Sequence, residues 1–207
     1  MKRWSGRWMI ALIQVSTFAC SGEVHSLAPE NRDAGGGVQE GGADSDSDTM
    51  RVCPPAGPYG VKPGDVAPDV ALYDCEGATV HLQDLCPSNA AYVYTHAGWC
   101  GTCKLFAQSG EANAFFNKYK NEGLTMWFVI TSTESGQPPT AETCRAYRDQ
   151  YGLEMTVLFD PDSVTESALD MLPNSDDMVL SQGNHIELNG SWATETVENV
   201  LDSMFEH

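Results

Sequence analysis

The amino-acid sequence predicts an α/β sandwich built on a mixed β-sheet. The first observation is a β-α-β order, in which two buried apolar strands flank an amphipathic helical segment. The second is a β-β-α order near the C-terminus, where two short strands around a glycine turn precede an amphipathic helix. A helical crossover joins parallel strands and a short turn joins antiparallel ones, so both strand directions are expected in the sheet.

Seven short apolar segments bounded by turn residues are the predicted strands. The first two are separated by a turn that ends at Gly77, and they form a hairpin at the N-terminal side of the domain. The third and fourth are continuous apolar runs, which is typical of central strands that are buried on both faces. Asp160-Pro161 ends the fifth strand, and a turn at Gly183 separates the last two. The predicted strands comprise residues 70–73, 79–82, 90–95, 124–130, 156–159, 178–180 and 185–188.

Four segments are predicted helices. Apolar residues recur at helical spacing between residues 101 and 120, and a second helix at 140–151 follows the breaker Pro138-Pro139. The segment that begins at Ser163 has capping-box spacing and predicts a short helix. From Val197 onward, apolar residues at i, i+3, i+4, i+7 and i+8 predict an amphipathic closing helix.

The N-terminal residues 1–19 have the pattern of a secretory signal peptide. Lys2, Arg3 and Arg7 precede a mostly apolar stretch that is too short to span a bilayer and that ends in small residues. The sequence Thr17-Phe18-Ala19-Cys20 resembles the bacterial lipobox, so Cys20 is the predicted site of lipidation. The alternative is an ordinary signal peptide that is cut before an incidental Cys20 thiol.

Residues 20–52 are predicted to form a flexible acidic tether rich in glycine, serine and aspartate, because they cannot bury enough apolar surface to fold. Residues 53–207 then form the predicted folded domain. Over the whole chain of 207 residues, 29 acidic residues outnumber 11 basic ones, and the formal net charge is −18. This balance excludes a nucleic-acid binder, which needs clusters of lysine and arginine.

The motif Trp99-Cys100-Gly101-Thr102-Cys103-Lys104 lies where a predicted buried strand ends and a helix begins. Cys100 therefore falls at the helix N-terminus, where free backbone N–H groups and the positive end of the helix dipole favour a thiolate. Cys103 lies one turn further along, within reach of Cys100 for a disulfide. This position predicts a redox-active pair.

Together, the segments Gly64–Asp69, Leu72–Gly77 and Trp99–Lys104 resemble the redoxin branch of the thioredoxin superfamily, and in particular its periplasmic thiol-disulfide oxidoreductases. The resemblance covers residues 58–207. It implies a thioredoxin-like three-layer sandwich with an extra N-terminal hairpin. It also implies that Cys100 attacks, that Cys103 resolves the mixed disulfide, and that Trp99 shields the site.

The chain departs from the family pattern at several neighbours of the cysteines. Gly101-Thr102 replaces the usual Gly-Pro, and Tyr94 stands where thioredoxins carry a buried aspartate. The family places a cis-proline beside the cysteines, and Pro173 is the candidate for it. Lys104 either adds positive potential near the pair or lies on a solvated helix face. His96 is predicted to be a partly exposed loop residue, with assistance to thiolate formation as the alternative.

Other functions of the pair require features that the sequence lacks. A structural zinc site needs two more ligands at short spacing, and haem attachment needs histidine where Lys104 stands. A peroxiredoxin nucleophile follows a Thr-x-x pattern, whereas Thr95 lies five residues before Cys100. No metal or cofactor is expected. The alternatives that stay open are a redox-inert binding domain and a thiol peroxidase of the redoxin group.

The four remaining cysteines of the domain are predicted to form two structural disulfides, since export favours oxidised pairs. Four thiols allow three connectivities. The simplest pairing joins Cys75 in the hairpin turn to Cys86 soon after it, and leaves Cys53 for Cys144.

The sequence thus predicts an exported thiol-disulfide oxidoreductase of a bacterial envelope that faces the periplasm and is tethered to the membrane through Cys20. Its expected partners are a protein or small-molecule disulfide or dithiol and an upstream redox partner.

Overall fold

The computed structural model describes Cys53 and residues 55–206. The predicted signal peptide, the lipidation site Cys20 and the tether up to residue 52 lie outside these residues, so the predictions for them stay predictions. The described part contains seven strands, five α-helices and two short 3₁₀ turns.

All seven strands lie in one mixed sheet, in the order β2-β1-β5-β4-β3-β6-β7. The three central strands β3, β4 and β5 are parallel, while β1, β2, β6 and β7 pair antiparallel to their neighbours. The predicted mixed sheet and the N-terminal hairpin β1–β2 are confirmed. The strands are Ala71–Asp74 (β1), Thr79–His81 (β2), Ala90–Ala97 (β3), Leu124–Ser132 (β4), Thr156–Phe159 (β5), Asp177–Ser181 (β6) and His185–Gly190 (β7).

Helices pack on both faces of this sheet, as expected for three layers. One face, which carries Tyr94 and Phe128, is covered by α1, α2, α3 and α5. The opposite face, which carries Val93 and Trp127, is covered by α4, by the 3₁₀ turn Leu82–Leu85 and by neighbouring loops. The helices are Gly101–Gln108 (α1), Glu111–Tyr119 (α2), Ala141–Tyr151 (α3), Val164–Leu169 (α4) and Thr194–Phe205 (α5).

Two predicted helix features differ from the structure. The single helix expected over residues 101–120 is broken at Gly110, whose φ of +83° is accessible to glycine at little cost, so α1 and α2 are separate. The capping box expected at Ser163 does not form, because Ser163 itself adopts a φ of +56°. The Asp160 carboxylate instead accepts hydrogen bonds from the backbone N–H groups of Val164 and Thr165.

Strand β3 is buried along its whole length between β4 and β6. Its last residues lead directly into α1, so the Cys100–Cys103 motif lies at the carboxyl edge of the central parallel strands. In open α/β sheets this edge is where binding and catalytic groups are commonly found. Within the described residues, no helix is both long and apolar enough to cross a membrane.

Candidate active site

Cys100 and Cys103 form a disulfide at the beginning of α1, and their Cα atoms are 5.3 Å apart. Cys100 is the N-cap residue, and its Sγ accepts a hydrogen bond of 3.2 Å from the backbone N–H of Cys103. The Thr102 hydroxyl also lies 3.2 Å from Cys100 Sγ. A negative charge on Cys100 Sγ would therefore meet two hydrogen-bond donors at the positive end of a helix.

The two cysteines differ in their access to solvent. Cys103 is fully buried, whereas Cys100 keeps 5 % of its surface exposed, and Trp99 beside it is half exposed. Cys100 is therefore the more accessible of the two residues, although most of its surface is buried in this oxidised pair. An incoming group therefore reaches the pair from the side of Trp99 and Cys100.

Ser175 is the neighbour of the cysteines that sequence reasoning missed. Its hydroxyl oxygen lies 3.2 Å from Cys103 Sγ and 3.9 Å from Cys100 Sγ. Thr95 of β3 holds it there: the Thr95 carbonyl accepts from the Ser175 N–H, and the Thr95 hydroxyl accepts from the N–H of the following Asp176. Only the path of the loop before β6 would have identified this residue, because no local motif marks it.

The prediction that Pro173 is a cis-proline beside the cysteines is wrong. Among the described residues, the one cis peptide bond precedes Pro58. The chain between Pro173 and β6 turns at Ser175, which has a φ of +51°. A proline ring fixes φ near −65°, so proline does not fit at that turn. Pro173 instead lines a shallow cavity on the Trp99 side of the motif.

A second cavity of about 210 Å³ adjoins the other side of the pair. Thr102 and Ser175, which contact the sulfur atoms, are among the residues that line it, as are Asp177 and Trp192. The buried Asp177 contributes a carboxylate that accepts from the Tyr92 hydroxyl at 2.6 Å and from the Trp192 backbone N–H at 3.1 Å. Burial raises the pKa of Asp177 to about 6, although these hydrogen bonds act in the opposite direction.

His96 is fully buried, so the prediction of a partly exposed loop residue is wrong. Its ring packs against those of Phe128 and Tyr147, with centroids 5.0 and 5.2 Å away. Burial, followed by the nearby Lys104 charge, lowers the pKa of His96 to about 4, although an interaction with the Cys103 backbone acts in the opposite direction. The imidazole is therefore neutral at physiological pH.

Lys104 forms an ion pair with Glu134 at 2.9 Å, on the exposed side of α1. The negative charge of Glu134 offsets the positive charge that Lys104 would otherwise bring near the cysteines. Gly101 lies at the first position of α1 with open space around it. The residues from Trp99 to Lys104 lie together at the site because they are consecutive in the chain. Pro173 lines only the cavity beside Trp99.

The structural disulfides pair differently from the prediction. Cys53 bonds to Cys86, and Cys75 bonds to Cys144. Cys75, in the β1–β2 turn, lies on the sheet face that α3 covers and so meets Cys144 of that helix. Cys86 follows the 3₁₀ turn that packs on the opposite face, so proximity in sequence does not bring it to Cys75. The described residues contain no group of three or more His, Cys, Asp or Glu side chains placed to hold a metal ion.

The sheet order, the flanking helices and a disulfide at the helix N-terminus define a protein of the thioredoxin-like α/β class. The sequence profile of the AhpC/TSA family matches residues 63–188. The chain therefore belongs to the AhpC/TSA family, and the predicted resemblance to the redoxins is confirmed. A comparison of the sequence with curated proteins found no match.

Several solved structures share the fold. A proposed thiol:disulfide interchange protein, DsbE, of Chlorobium tepidum has 24% sequence identity and a TM-score of 0.57, over 70% of this chain and 99% of that chain. The thioredoxin domain of a thiol-disulfide oxidoreductase of Bacteroides vulgatus has 15% identity and a TM-score of 0.57, over 70% and 99% of the two chains. A thioredoxin-like protein of Aeropyrum pernix has 17% identity and a TM-score of 0.53, over 65% and 89%. The predicted fold class is confirmed, and the predicted enzyme class is that of the first two neighbours.

Proposed function

We propose that the protein exchanges disulfides with a substrate through Cys100 and Cys103. The observation that carries the proposal is the asymmetric environment of the pair: Cys100 Sγ caps α1 and accepts the Cys103 N–H, while Cys103 is fully buried behind it. Charge on Cys100 is thereby stabilised, and access to Cys103 is blocked. This asymmetry is what an attacking and a resolving thiol require.

The exchange proceeds through a mixed disulfide. A substrate thiolate attacks Cys100 Sγ, the Cys100–Cys103 bond breaks, and Cys103 leaves as a thiolate that takes up a proton. A second substrate thiolate then attacks the substrate sulfur of the mixed disulfide and releases Cys100. The substrate loses two electrons and the protein pair gains them. In the opposite direction, the Cys100 thiolate attacks a substrate disulfide, forms the mixed disulfide and releases one substrate thiolate. The Cys103 thiolate then attacks Cys100 Sγ, restores the Cys100–Cys103 bond and releases the second substrate thiolate.

A polypeptide is the substrate class that the surface favours over a small thiol. In the described part of the chain, five large hydrophobic residues are at least half exposed. Four of these five lie on the elements that surround the pair. An apolar surface around a reactive group is typical of protein recognition sites. A second redox protein then resets the pair after each turnover. The four residues are Trp99, Leu105, Leu172 and Trp192.

Export is the second part of the proposal, with Cys20 as the lipid anchor at a bacterial cell envelope and the folded domain facing the periplasm. The basic and apolar start of the chain and the lipobox-like Thr17–Cys20 support it. Three disulfides within the domain also favour an oxidising compartment. Mass spectrometry of the mature protein purified from its host membrane tests this part. A mature N-terminus at Cys20 with acyl mass is expected, and an unacylated N-terminus would refute the anchor.

Insulin reduction in the presence of dithiothreitol tests the activity. The protein should accelerate precipitation of the insulin B chain over dithiothreitol alone, and Cys100→Ser should abolish the acceleration. In a separate incubation, reduced Cys103→Ser that is freed of dithiothreitol before insulin is added should retain an insulin chain on Cys100 as a mixed disulfide, which a non-reducing gel detects. The matched control is Cys100→Ser incubated in the same way, which should trap nothing. No acceleration by the parent protein together with no trapped species would favour a redox-inert binding domain.

A further inference from the structure

Ser175 touches the sulfur atom that carries the leaving charge in the proposed exchange. Its Oγ is 3.2 Å from Cys103 Sγ, closer than its 3.9 Å distance to Cys100 Sγ. The backbone of Ser175 has a φ of +51°, which is uncommon for a residue other than glycine, asparagine or aspartate. Such conformations persist where the surroundings determine them, and here the two hydrogen bonds from the loop to Thr95 do so.

The direction of the hydrogen bonds follows from the oxidation state. A disulfide sulfur has no hydrogen, so Ser175 must be the donor in its bond to Cys103 Sγ. The Tyr94 hydroxyl lies 3.2 Å from Ser175 Oγ, and because the Ser175 hydrogen is already used, Tyr94 donates to Ser175. Burial raises the pKa of Tyr94 to about 12, so this phenol keeps its proton. The result is a directed chain from Tyr94 through Ser175 to Cys103.

No charged side chain in the described residues is hydrogen-bonded to Cys103 Sγ. Lys104 is paired with Glu134, and the buried His96 is neutral, since its pKa is lowered to about 4. A thiolate formed on the fully buried Cys103 would therefore depend on Ser175 for its hydrogen bond. Hydrogen bonds to a buried charge are stronger than those between neutral groups, because little water competes with them.

We propose that Ser175 is a catalytic residue that stabilises the Cys103 thiolate by donating its hydroxyl hydrogen bond, with Tyr94 as a positioning residue that polarises Ser175. The inference rests on the proposed exchange. When a substrate thiolate forms its bond to Cys100 Sγ, the electron pair of the Cys100–Cys103 bond moves to Cys103 Sγ, where the Ser175 O–H meets it. In the opposite direction the same hydrogen bond favours deprotonation of Cys103 before it attacks Cys100.

The test uses variants of the full chain that keep the loop conformation. Ser175→Gly removes the hydroxyl, and glycine adopts a φ of +51° at little cost. The rate of reduction of the Cys100–Cys103 disulfide by dithiothreitol, followed by maleimide labelling, should fall about tenfold in Ser175→Gly. Tyr94→Phe removes only the outer hydroxyl and should lower the rate by about twofold to threefold.

A second measurement separates a chemical from a structural role. In the reduced Cys100→Ser protein, the pH dependence of Cys103 alkylation reports the pKa of the Cys103 thiol. Adding Ser175→Gly should raise that pKa by about one unit, which corresponds to a tenfold weaker stabilisation of the thiolate relative to the thiol. The matched control, Thr102→Val in the same background, removes a hydroxyl that contacts Cys100 rather than Cys103 and should leave the pKa of Cys103 unchanged.

The outcomes distinguish this inference from the function on which it rests. A parent protein that does not exchange disulfides with insulin overturns the proposed function. An active parent whose reduction rate and Cys103 pKa are unaffected by Ser175→Gly overturns the role of Ser175 alone. If Ser175→Gly unfolds at a lower temperature than the parent, Tyr94→Phe provides the test. A rate of disulfide reduction in Tyr94→Phe equal to that of the parent would then contradict the proposed hydrogen-bond chain from Tyr94 through Ser175 to Cys103.

Discussion

A buried acid and a buried base next to the site are expected to have opposite effects on the pH dependence of stability. Burial lowers the pKa of His96 from 6.5 to about 4, and burial raises the pKa of Asp177 from 3.8 to about 6. The perturbation is to remove each group separately, as His96→Phe and Asp177→Asn. Phenylalanine suits the aromatic surroundings of His96, and asparagine keeps the shape of the Asp177 side chain.

The two contributions have opposite signs in the same pH window. Unfolded His96 gains a proton as the pH falls below 6.5 while the folded residue resists it, so its contribution is present above pH 6.5 and is lost on falling to about pH 4. Folded Asp177 holds its proton up to about pH 6, so its contribution is present below pH 3.8 and is lost as the pH rises. Each shift is worth about 3 kcal/mol, so the two nearly cancel between pH 4 and pH 7.

The assay is urea unfolding of the oxidised protein at pH 4, 5, 6 and 7, with each variant compared with the parent so that the other titrating groups cancel. On going from pH 7 to pH 4, Asp177→Asn should lose about 3 kcal/mol relative to the parent, and His96→Phe should gain about 3 kcal/mol. The double variant serves as the control and should follow the parent slope. Parallel slopes for the parent and both single variants would refute the reasoning, because neither group would then differ in pKa between folded and unfolded states.

Three further predictions concern the packing behind the site. Gly98→Ala should lower stability by about 1–3 kcal/mol, because a Cβ there would approach the backbone carbonyl carbon of Thr133 to 2.5 Å and would also meet the Tyr147 hydroxyl; a thermal shift assay that shows an unchanged melting temperature would contradict it. Tyr147→Phe should leave the free energy of unfolding unchanged or raise it by up to about 1 kcal/mol, since the buried Tyr147 hydroxyl has no hydrogen-bond partner, and a loss of more than that in urea would show a partner. Replacing Cys75 and Cys144 together by alanine should lower stability by about 4 kcal/mol, because their disulfide closes a loop with a sequence separation of 69; a loss below about 1 kcal/mol would argue against this pairing.

The sequence was sufficient for features that depend on neighbouring residues. Strand β5 has the predicted bounds, because its short apolar run ends at Asp160-Pro161. The position of Cys100 at the N-cap of α1 also follows from a local signal, the change from a buried strand to a helical pattern. Such local signals predict the folded structure because strand and helix periodicity determine which side chains face the core.

Features that depend on the path of the chain through space could not be predicted in this way. Cys75 and Cys86 are close in sequence, but the hairpin turn and the following 3₁₀ turn pack on opposite faces of the sheet, which favours the long-range partners. His96 illustrates a second difficulty. Histidine is intermediate in its preference for burial, so the residue type alone did not predict that His96 is enclosed by Phe128 and Tyr147.

The polar contacts of Cys103 come from residues that are distant in sequence, and no local motif marks these residues. Ser175 is 72 residues away and reaches Cys103 only because Thr95 and the buried Asp176 fix the loop before β6. The Asp176 carboxylate accepts from the Leu172 N–H of the same loop and from the hydroxyl of Ser191, which follows β7, so a buried group ties the loop to the chain beyond the neighbouring strand. A loop held by buried polar groups keeps one conformation, because breaking it would leave those groups without partners. The site therefore combines a helix N-terminus that the sequence predicts with Ser175, which lies next to Cys103 Sγ only in the folded protein.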